Sequence, residues 1–408
     1  MTRIKPDLET FAKIKVVGIG GGGSNAVTRM VTGRMKGVDF ITVNTDAQDL
    51  HHSQAHTKLH IGKNITRGLG AGMNPELGRQ AAEESREEIQ EALKGADLVF
   101  ITSGMGGGTG SGASAVVADV ARSLGALTIA VITKPFTFEG AQRSRIAEEA
   151  IGSLKDAVDT LVIIPNDRIF NIISEDTSLL NSFEMVDDIL KQAVFGIADL
   201  ITLPGIINVD FNDVKAIMQD AGSALMGIGF ASGEDRAGKA ARAAINSPLL
   251  ELSIEGAKGV LFNIAGGQDD LKMMEINNAA KIITESVDAG AKIIFGAVHD
   301  PRLKKGEIKI TVIATGFGDA AGGRSPKKET FIKTAAPASP EAVQVRKDNS
   351  SVASAFSKPT PTPISVSKSV ENPHPDNKPE VKSKTFTPEV TKISDDGWDI
   401  PAFIRRRK

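Results

Sequence analysis

Two dense runs of glycine are the residues of this chain best suited to chemistry. Gly18-Ile19-Gly20-Gly21-Gly22-Gly23-Ser24-Asn25 follows an apolar run and opens a helical stretch, and Gly104-Met105-Gly106-Gly107-Gly108-Thr109-Gly110-Ser111-Gly112 does the same farther on. Glycine lets a backbone approach phosphate oxygens closely, and a helix N-terminus offers unpaired N–H groups at the positive end of its dipole. The first run satisfies G-x-G-x-x-G, which suits a dinucleotide as well as a triphosphate. A tight strand-to-helix turn that binds nothing would also need glycine. The second run favours a ligand, because two amide cradles on one sheet edge suit a chain of two or three phosphates. Neither run is a P-loop: G-x-x-x-x-G-K-[ST] is absent, so no phosphate-binding lysine is supplied. A third loop, Gly68-Leu69-Gly70-Ala71-Gly72 after Arg67, is placed to close over a terminal phosphate.

The elements that must position these loops alternate. Strands are expected at Ile14 to Gly20, Val38 to Asn44, Asp97 to Ser103, Leu127 to Thr133 and Thr160 to Pro165. Helices are expected at Asn25 to Met35, Glu76 to Lys94 and Gly112 to Leu124, with a further one before the last of these strands. Alternation of this kind predicts a parallel sheet covered on both faces, with the ligand beyond the carboxyl ends of its strands. Asp176 to Leu203 reads as one long helix, stopped by Pro204-Gly205. A smaller α/β unit follows, with strands near 224–231, 259–265, 292–298 and 307–315 and helices near 235–246 and 271–287.

Composition narrows the class. Cysteine is absent from the 408 residues, which removes disulfides and thiolate chemistry and suits a reducing cytoplasm. The formal net charge of -2 offers no global field for nucleic acid, and no apolar run reaches the length of a bilayer span. The N-terminus carries charges throughout and lacks the apolar core of a signal peptide. Ten of the 18 prolines lie between Pro326 and Pro388, in a stretch rich in Ser, Thr, Lys and Glu that reads as a disordered linker. The last residues, SDDGWDIPAFIRRRK, hold the only tryptophan and a basic end, the pattern of a docking peptide on a tether or of a short amphipathic end touching lipid. His52, His56 and His60 repeat every four residues, a ligand ladder if all lay on one helix. KLHIG reads as a strand and breaks that register, so surface histidines are the better reading.

Beyond these patterns, GGGTGSG, VNTDAQDL, RGLGAGMNPELG, KPFTFEG, IPNDRI, NVDFNDV, SALMGIG and TVIATGF resemble the FtsZ family of tubulin-like cell-division GTPases. The resemblance runs from about residue 11 to 318 and returns at Asp399 to Arg406. It implies an α/β fold: a tubulin-like, Rossmann-type GTPase domain, a long central helix, a smaller C-terminal α/β domain and a disordered tail. The corresponding division is an extension (1–10), a GTP-binding domain (11–175), the central helix with a catalytic loop (176–222), a C-terminal domain (223–318), a linker (319–392) and a partner-binding peptide (393–408).

The resemblance also implies roles. Gly21, Gly22, Gly23, Ser24, Asn25, Gly107, Gly108, Thr109 and Gly110 would face the phosphates, with Ala71 and Gly72 at the γ-phosphate. Glu139 and Arg143 would lie at the ribose and base, and Asn166 and Asp187 would read guanine with Phe183 stacked on it. A carboxylate can accept from guanine N1–H and its 2-amino group. On spacing alone, however, a core aromatic on a long helix is the better reading of Phe183, and Asp187 beside Asp188 reads also as a solvated helix face. Asn208, Asp210 and Asp213 would enter the next subunit's site and orient the attacking water, with Mg²⁺ on the phosphates. Asp210 and Asp213 also have the spacing of a helix cap. Three residues depart from the family pattern: Ser111 for Thr, Met73 for a small residue, and Asn212 for Ala. The implied protein hydrolyses GTP, forms head-to-tail homopolymers at the division site, and meets membrane-tethering proteins through residues 399–406. An NAD-dependent Rossmann oxidoreductase and a filament protein without turnover are the rivals; the absence of tyrosine disfavours the first.

Overall fold

Hydrophobic alternation along the first strands dictates two cores. In the computed structural model, which describes residues 12–33, 35, 37–174, 176–203, 205–247, 253–267 and 271–317, β1 is Ile14–Ile19. Its Ile14 and Val16 enter one hydrophobic core while Val17 and Ile19 enter another, the period-two signature of a sheet buried on both faces. The expected extension at 1–10, the linker at 319–392 and the peptide at 393–408 lie outside the described residues.

The chain continues through α1 (Gly20–Thr32), β2 (Val38–Asn44), α2 (Ala47–His52), β3 (Thr57–His60), α3 (Lys63–Thr66), α4 (Pro75–Glu84) and α5 (Arg86–Leu93). It returns through β4 (Leu98–Gly104), α6 (Gly108–Ser123), β5 (Leu127–Lys134), α7 (Ala141–Ala157) and β6 (Thr160–Pro165) to the long α8 (Leu179–Thr202). Then come β7 (Gly205–Ile207), α9 (Phe211–Met218), β8 (Gly222–Ser232), α10 (Arg236–Ile245), β9 (Gly259–Gly266), α11 (Met273–Thr284), β10 (Lys292–His299) and β11 (Glu307–Thr315).

These strands form one sheet in the order β3-β2-β1-β4-β5-β6-β8-β11-β9-β10-β7. The first six are mutually parallel. The chain leaves β1 towards β2 and β3, then crosses back to β4 on the other side, so the topological switch falls between β1 and β4. Beyond β6 the sheet becomes mixed: β11 runs antiparallel to both β8 and β9. The smaller unit, with its own core, is joined to the larger sheet through the short β6–β8 pairing, Thr160↔Gly222 to Val162↔Ala224. Helices α1 and α8 supply the core on one face of the large sheet, and α4, α5, α6 and α7 the core on the other.

Among the boundaries that differ from expectation, three have a local reason. Helices α1 and α6 start at Gly20 and Gly108, so the glycines occupy the first helical turn instead of preceding it. A first turn makes few intrahelical demands on its N–H groups, which lowers the cost of glycine there. The charged helix expected at 76–94 is two helices broken at Ser85, whose hydroxyl accepts from the Gly62 N–H at 3.3 Å.

Candidate functional site

The two glycine-led helices, α1 and α6, start side by side at the carboxyl ends of β1 and β4, at the switch point. Between them opens a cavity of about 390 Å³. Its floor is backbone: Gly20, Gly21, Gly22, Gly72, Gly104, Gly107, Gly108, Thr109 and Gly110 all line it. Neither helix has a side-chain cap at its N-terminus, so no side chain of the cap residue takes up the first-turn N–H groups. An added Cβ on Gly107 would meet nothing within 4 Å, whereas one on Gly108 would lie 2.7 Å from the Gly72 carbonyl oxygen and 2.8 Å from that of Ala71. Gly108 is therefore needed for close approach to the loop, and its N–H donates to Gly72 O at 2.7 Å.

The other end of the cavity is built by side chains. Asn166 follows β6 directly and is only 5% exposed, and its buried Oδ1 finds no hydrogen-bond partner within the protein. An orphaned acceptor at a cavity wall costs free energy unless a ligand satisfies it. Phe183 on α8 is 39% exposed, which places it at the rim and not in the core. The fully buried Phe136 meets it edge-on, ring centroids 5.4 Å apart. Asp187, one turn on, also lines the cavity. Burial pushes its carboxyl up to about 6, against the pull of the Arg29 guanidinium, whose Nε donates to Asp187 Oδ2 at 3.1 Å. The reading of Asp187 as a solvated helix face is thereby corrected, since it is mostly enclosed.

Asn25, Glu139 and Arg143 also line the cavity. Both oxygens of Glu139 are committed within the protein: Oε1 accepts from the Phe136 N–H at 2.9 Å and Oε2 from Arg143 Nη1 at 2.5 Å. Its contribution is to fix the turn carrying Phe136 and to orient Arg143. Thr109 shares its hydroxyl with Thr45 Oγ1 at 2.6 Å, tying the floor to the end of β2. The Ser111 hydroxyl accepts from the Gly106 N–H at 2.9 Å, a bond that either Ser or Thr can make.

Three of the expected phosphate-side residues do not line the cavity. Gly23 faces β4, where a Cβ would lie 2.5 Å from the Thr102 carbonyl oxygen, so it serves helix–sheet packing. Ser24 is buried beside it, because a helix turns successive residues by 100° and only some of a first turn can face one ligand. Ala71 is buried behind the loop, where its carbonyl accepts from the Asn74 N–H at 3.1 Å. Conversely, Met105, Thr133, Pro135, Val186 and Leu190 line the cavity without having been singled out. Thr133 and Pro135 were detectable, as Thr133 precedes KPFTFEG and Pro135 lies within it, at the carboxyl end of a strand on the same sheet edge. Val186 and Leu190 carry no signal that separates them from core residues.

Asn208, Asp210 and Asp213 lie apart from this cavity, the first two on the loop between β7 and α9 and Asp213 in the first turn of α9, all three exposed. Asp210 caps α9, its Oδ1 accepting from the Asp213 N–H at 2.9 Å, so the capping reading holds. Asn208 Oδ1 accepts from the Gly205 N–H at 2.6 Å, and the buried Val209 anchors the loop. The histidine ladder is not one: His52 ends α2, His56 lies in the loop that follows, and His60 ends β3.

Comparison with known proteins agrees with this geometry. Residues 13–174 match the model of the tubulin/FtsZ family GTPase domain, and residues 222–318 that of the FtsZ family C-terminal domain. An FtsZ dimer from M. jannaschii is 44% identical, with a TM-score of 0.73 over 76% of this chain and 90% of that one. CetZ2 from Haloferax volcanii, solved as a GTPγS-bound protofilament, is 21% identical with a TM-score of 0.64 over 74% of this chain and 92% of that one, a likeness of fold alone. A cavity walled by two glycine-led helix ends, in a chain whose two halves match the two domains of one family, leads to one conclusion: this chain belongs to the tubulin/FtsZ family and is a GTPase.

Proposed function

We propose that this GTPase polymerises head to tail into filaments of the cell-division ring, each active site being shared between two subunits. The observation that carries the proposal is the separation of its two halves. The cavity offers amide donors, a stacking ring and an orphaned amide oxygen, whereas the exposed Asn208, Asp210 and Asp213 stand outside it on the same chain.

In the cavity, the first-turn amides of α1 and α6 hold the phosphates, and Asn25 and Arg143 lie beyond them. Gly72 closes the loop over the terminal phosphate from the α4 side. Phe183 stacks on the base, the Asn166 Oδ1 gains a donor, and Asp187 accepts from guanine N1–H and the 2-amino group. Among the described residues no group of three or more His, Cys, Asp or Glu could hold a metal ion. Mg²⁺ would be held by the phosphate groups of the bound nucleotide, whose charge calls for a hard cation, and would there offset that charge. Asp210 and Asp213 of the next subunit orient and polarise the attacking water, their negative charge stabilising the positive charge that develops on it. Positioning and charge stabilisation are most of what phosphoryl transfer asks of a protein.

No described helix is long and apolar enough to cross a membrane. Contact with the membrane at the division site is assigned to tethering proteins that bind residues 399–406 of a cytoplasmic chain. Sedimentation with and without GTP, read beside phosphate release, tests the whole reading. Polymer and phosphate should appear together and only with GTP. Polymer without phosphate would support a filament without turnover, and thermal protection by NAD alone would restore the oxidoreductase rival, which family membership disfavours.

A further inference from the structure

The carboxylate assigned to the base is expensive to ionise where it sits. Asp187 is mostly enclosed, and its own helix sets two more acids beside it, Glu184 and Asp188. Asp188 is turned to Lys191, whose Nζ lies 2.5 Å from Asp188 Oδ1. From α1, which packs along α8, the charged group facing Asp187 is Arg29. From β5 and from the turn after β6, which also pack on α8, the cavity neighbours are Thr133 and Asn166, neither of which titrates.

Arg29 is not committed to Asp187 alone. Its Nε donates to Asp187 Oδ2 at 3.1 Å while its Nη2 lies 2.8 Å from Glu184 Oε1. The guanidinium fork thus spans two acids one helical step apart, the near one in the nucleotide cavity and the far one half-exposed. The group also borders a second cavity, lined by Asn25, Thr28, Leu180 and Phe183, which shares the walls Asn25, Phe183 and Asp187 with the first.

We infer that Arg29 is the positioning residue for base selection: shared between Asp187 and Glu184, it holds Asp187 in its ionised, acceptor-only form. The inference rests on the reading of Asp187 as the guanine-facing carboxylate. An ionised carboxylate accepts from both guanine N1–H and the 2-amino group and confronts the lone pair of adenine N1. A neutral carboxyl carries an O–H that can donate to adenine N1. Affinity for GTP and rejection of ATP therefore depend on the same proton, and that proton is controlled from α1. Glu184 opposes Arg29 twice, by drawing off part of the guanidinium and by adding negative charge. Removing Arg29 and removing the charge on Glu184 must then act with opposite sign.

The test is the affinity of the full chain for ribose-labelled fluorescent GTP and ATP between pH 5 and 8.5. It compares the parent, Arg29→Met, Arg29→Lys, Glu184→Gln and Asp187→Asn. Dividing each curve by that of Asp187→Asn removes titration of the phosphates themselves. The parent GTP curve should lose affinity as pH falls through about 6. Arg29→Met should move that midpoint upward, about tenfold in affinity per unit moved, and the loss should vanish by pH 8.5, where Asp187 is ionised regardless. Discrimination against ATP should narrow over the same range. Arg29→Lys should recover part of the shift, and Glu184→Gln should move the midpoint downward. Curves offset equally at every pH, or both variants shifting the midpoint the same way, would overturn the inference and leave Arg29 a support of the fold. Unchanged GTP affinity in Asp187→Asn would instead overturn the assignment of Asp187 on which it rests.

Discussion

Asp210 caps α9, and the second job proposed for it, catalysis in the next subunit's site, is one that chemistry can separate from the first. As the cap of α9 it needs only an acceptor oxygen, which Asn supplies almost as well as Asp. As a catalytic carboxylate it needs the negative charge, which Asn lacks. Asp210→Asn should therefore keep stability and GTP binding while phosphate release is lost. Asp210→Ala should lose phosphate release and, in addition, about 1 kcal/mol of stability in urea unfolding. Equal turnover in Asp210→Asn and the parent would reduce the residue to its cap. Legibility at this scale followed residue type. For Asp210 and Asp213 the spacing showed the cap, whereas the catalytic role came only from the family resemblance. Arg29 was not legible, since nothing in a helical Arg announces a partner 158 residues away. Gly23 and Ser24 failed for the converse reason: membership of a motif does not say which way a helical turn points a residue.

Glycine reads differently once it is placed on an element. The parallel strands β1, β2, β4, β5 and β6, being short and apolar, were legible nearly to the residue; β2 was expected at Val38 to Asn44 and is found there. The three-residue β7 was not foreseen. Nor were the starts of α1 and α6, because glycine normally punctuates a helix, and here a run of glycines forms the first turn. That arrangement divides the run into positions that serve the ligand and positions that serve packing. Gly107 faces open space within the cavity, so Gly107→Ala should leave the melting temperature nearly unchanged while its methyl group weakens GTP binding. Gly108 is hemmed by the carbonyl oxygens of Gly72, Ala71 and Asn74, all within 2.8 Å of an added Cβ. Gly108→Ala should cost about 1–3 kcal/mol by overpacking, with binding lost because the loop is pushed away. Calorimetric melting beside GTP titration distinguishes the two, and identical behaviour of both variants would contradict the division.

At the scale of the whole molecule the sequence showed two units and a long helix, but not that β6 pairs with β8 to make one sheet of them. That pairing involves three residues on each strand, too short to leave a pattern of its own. It matters because α8 carries Phe183 and Asp187 near one end and leads into the Asn208–Asp213 loop at the other. One continuous helix thus runs from the cavity towards the loop that, in the proposed filament, meets the neighbouring subunit. Residues 394–408 should be dispensable for that exchange: their deletion should abolish capture by membrane-tethering partners and spare GTP hydrolysis, both measurable on one preparation. The exchange itself can be tested by complementation. Asp213→Ala keeps an intact cavity and a disabled loop, and Gly107→Ala an impaired cavity and an intact loop. Alone, each should release little phosphate. Mixed, they create junctions in which the cavity of the first meets the loop of the second, and such junctions are complete. Phosphate release from the mixture should exceed the sum of the separate rates and should fall more steeply than in proportion to protein on dilution, because an active site now requires an encounter. Rates that merely add, at every dilution, would place the whole catalytic site within one subunit. They would leave Asp213 with no role beyond the first turn of α9.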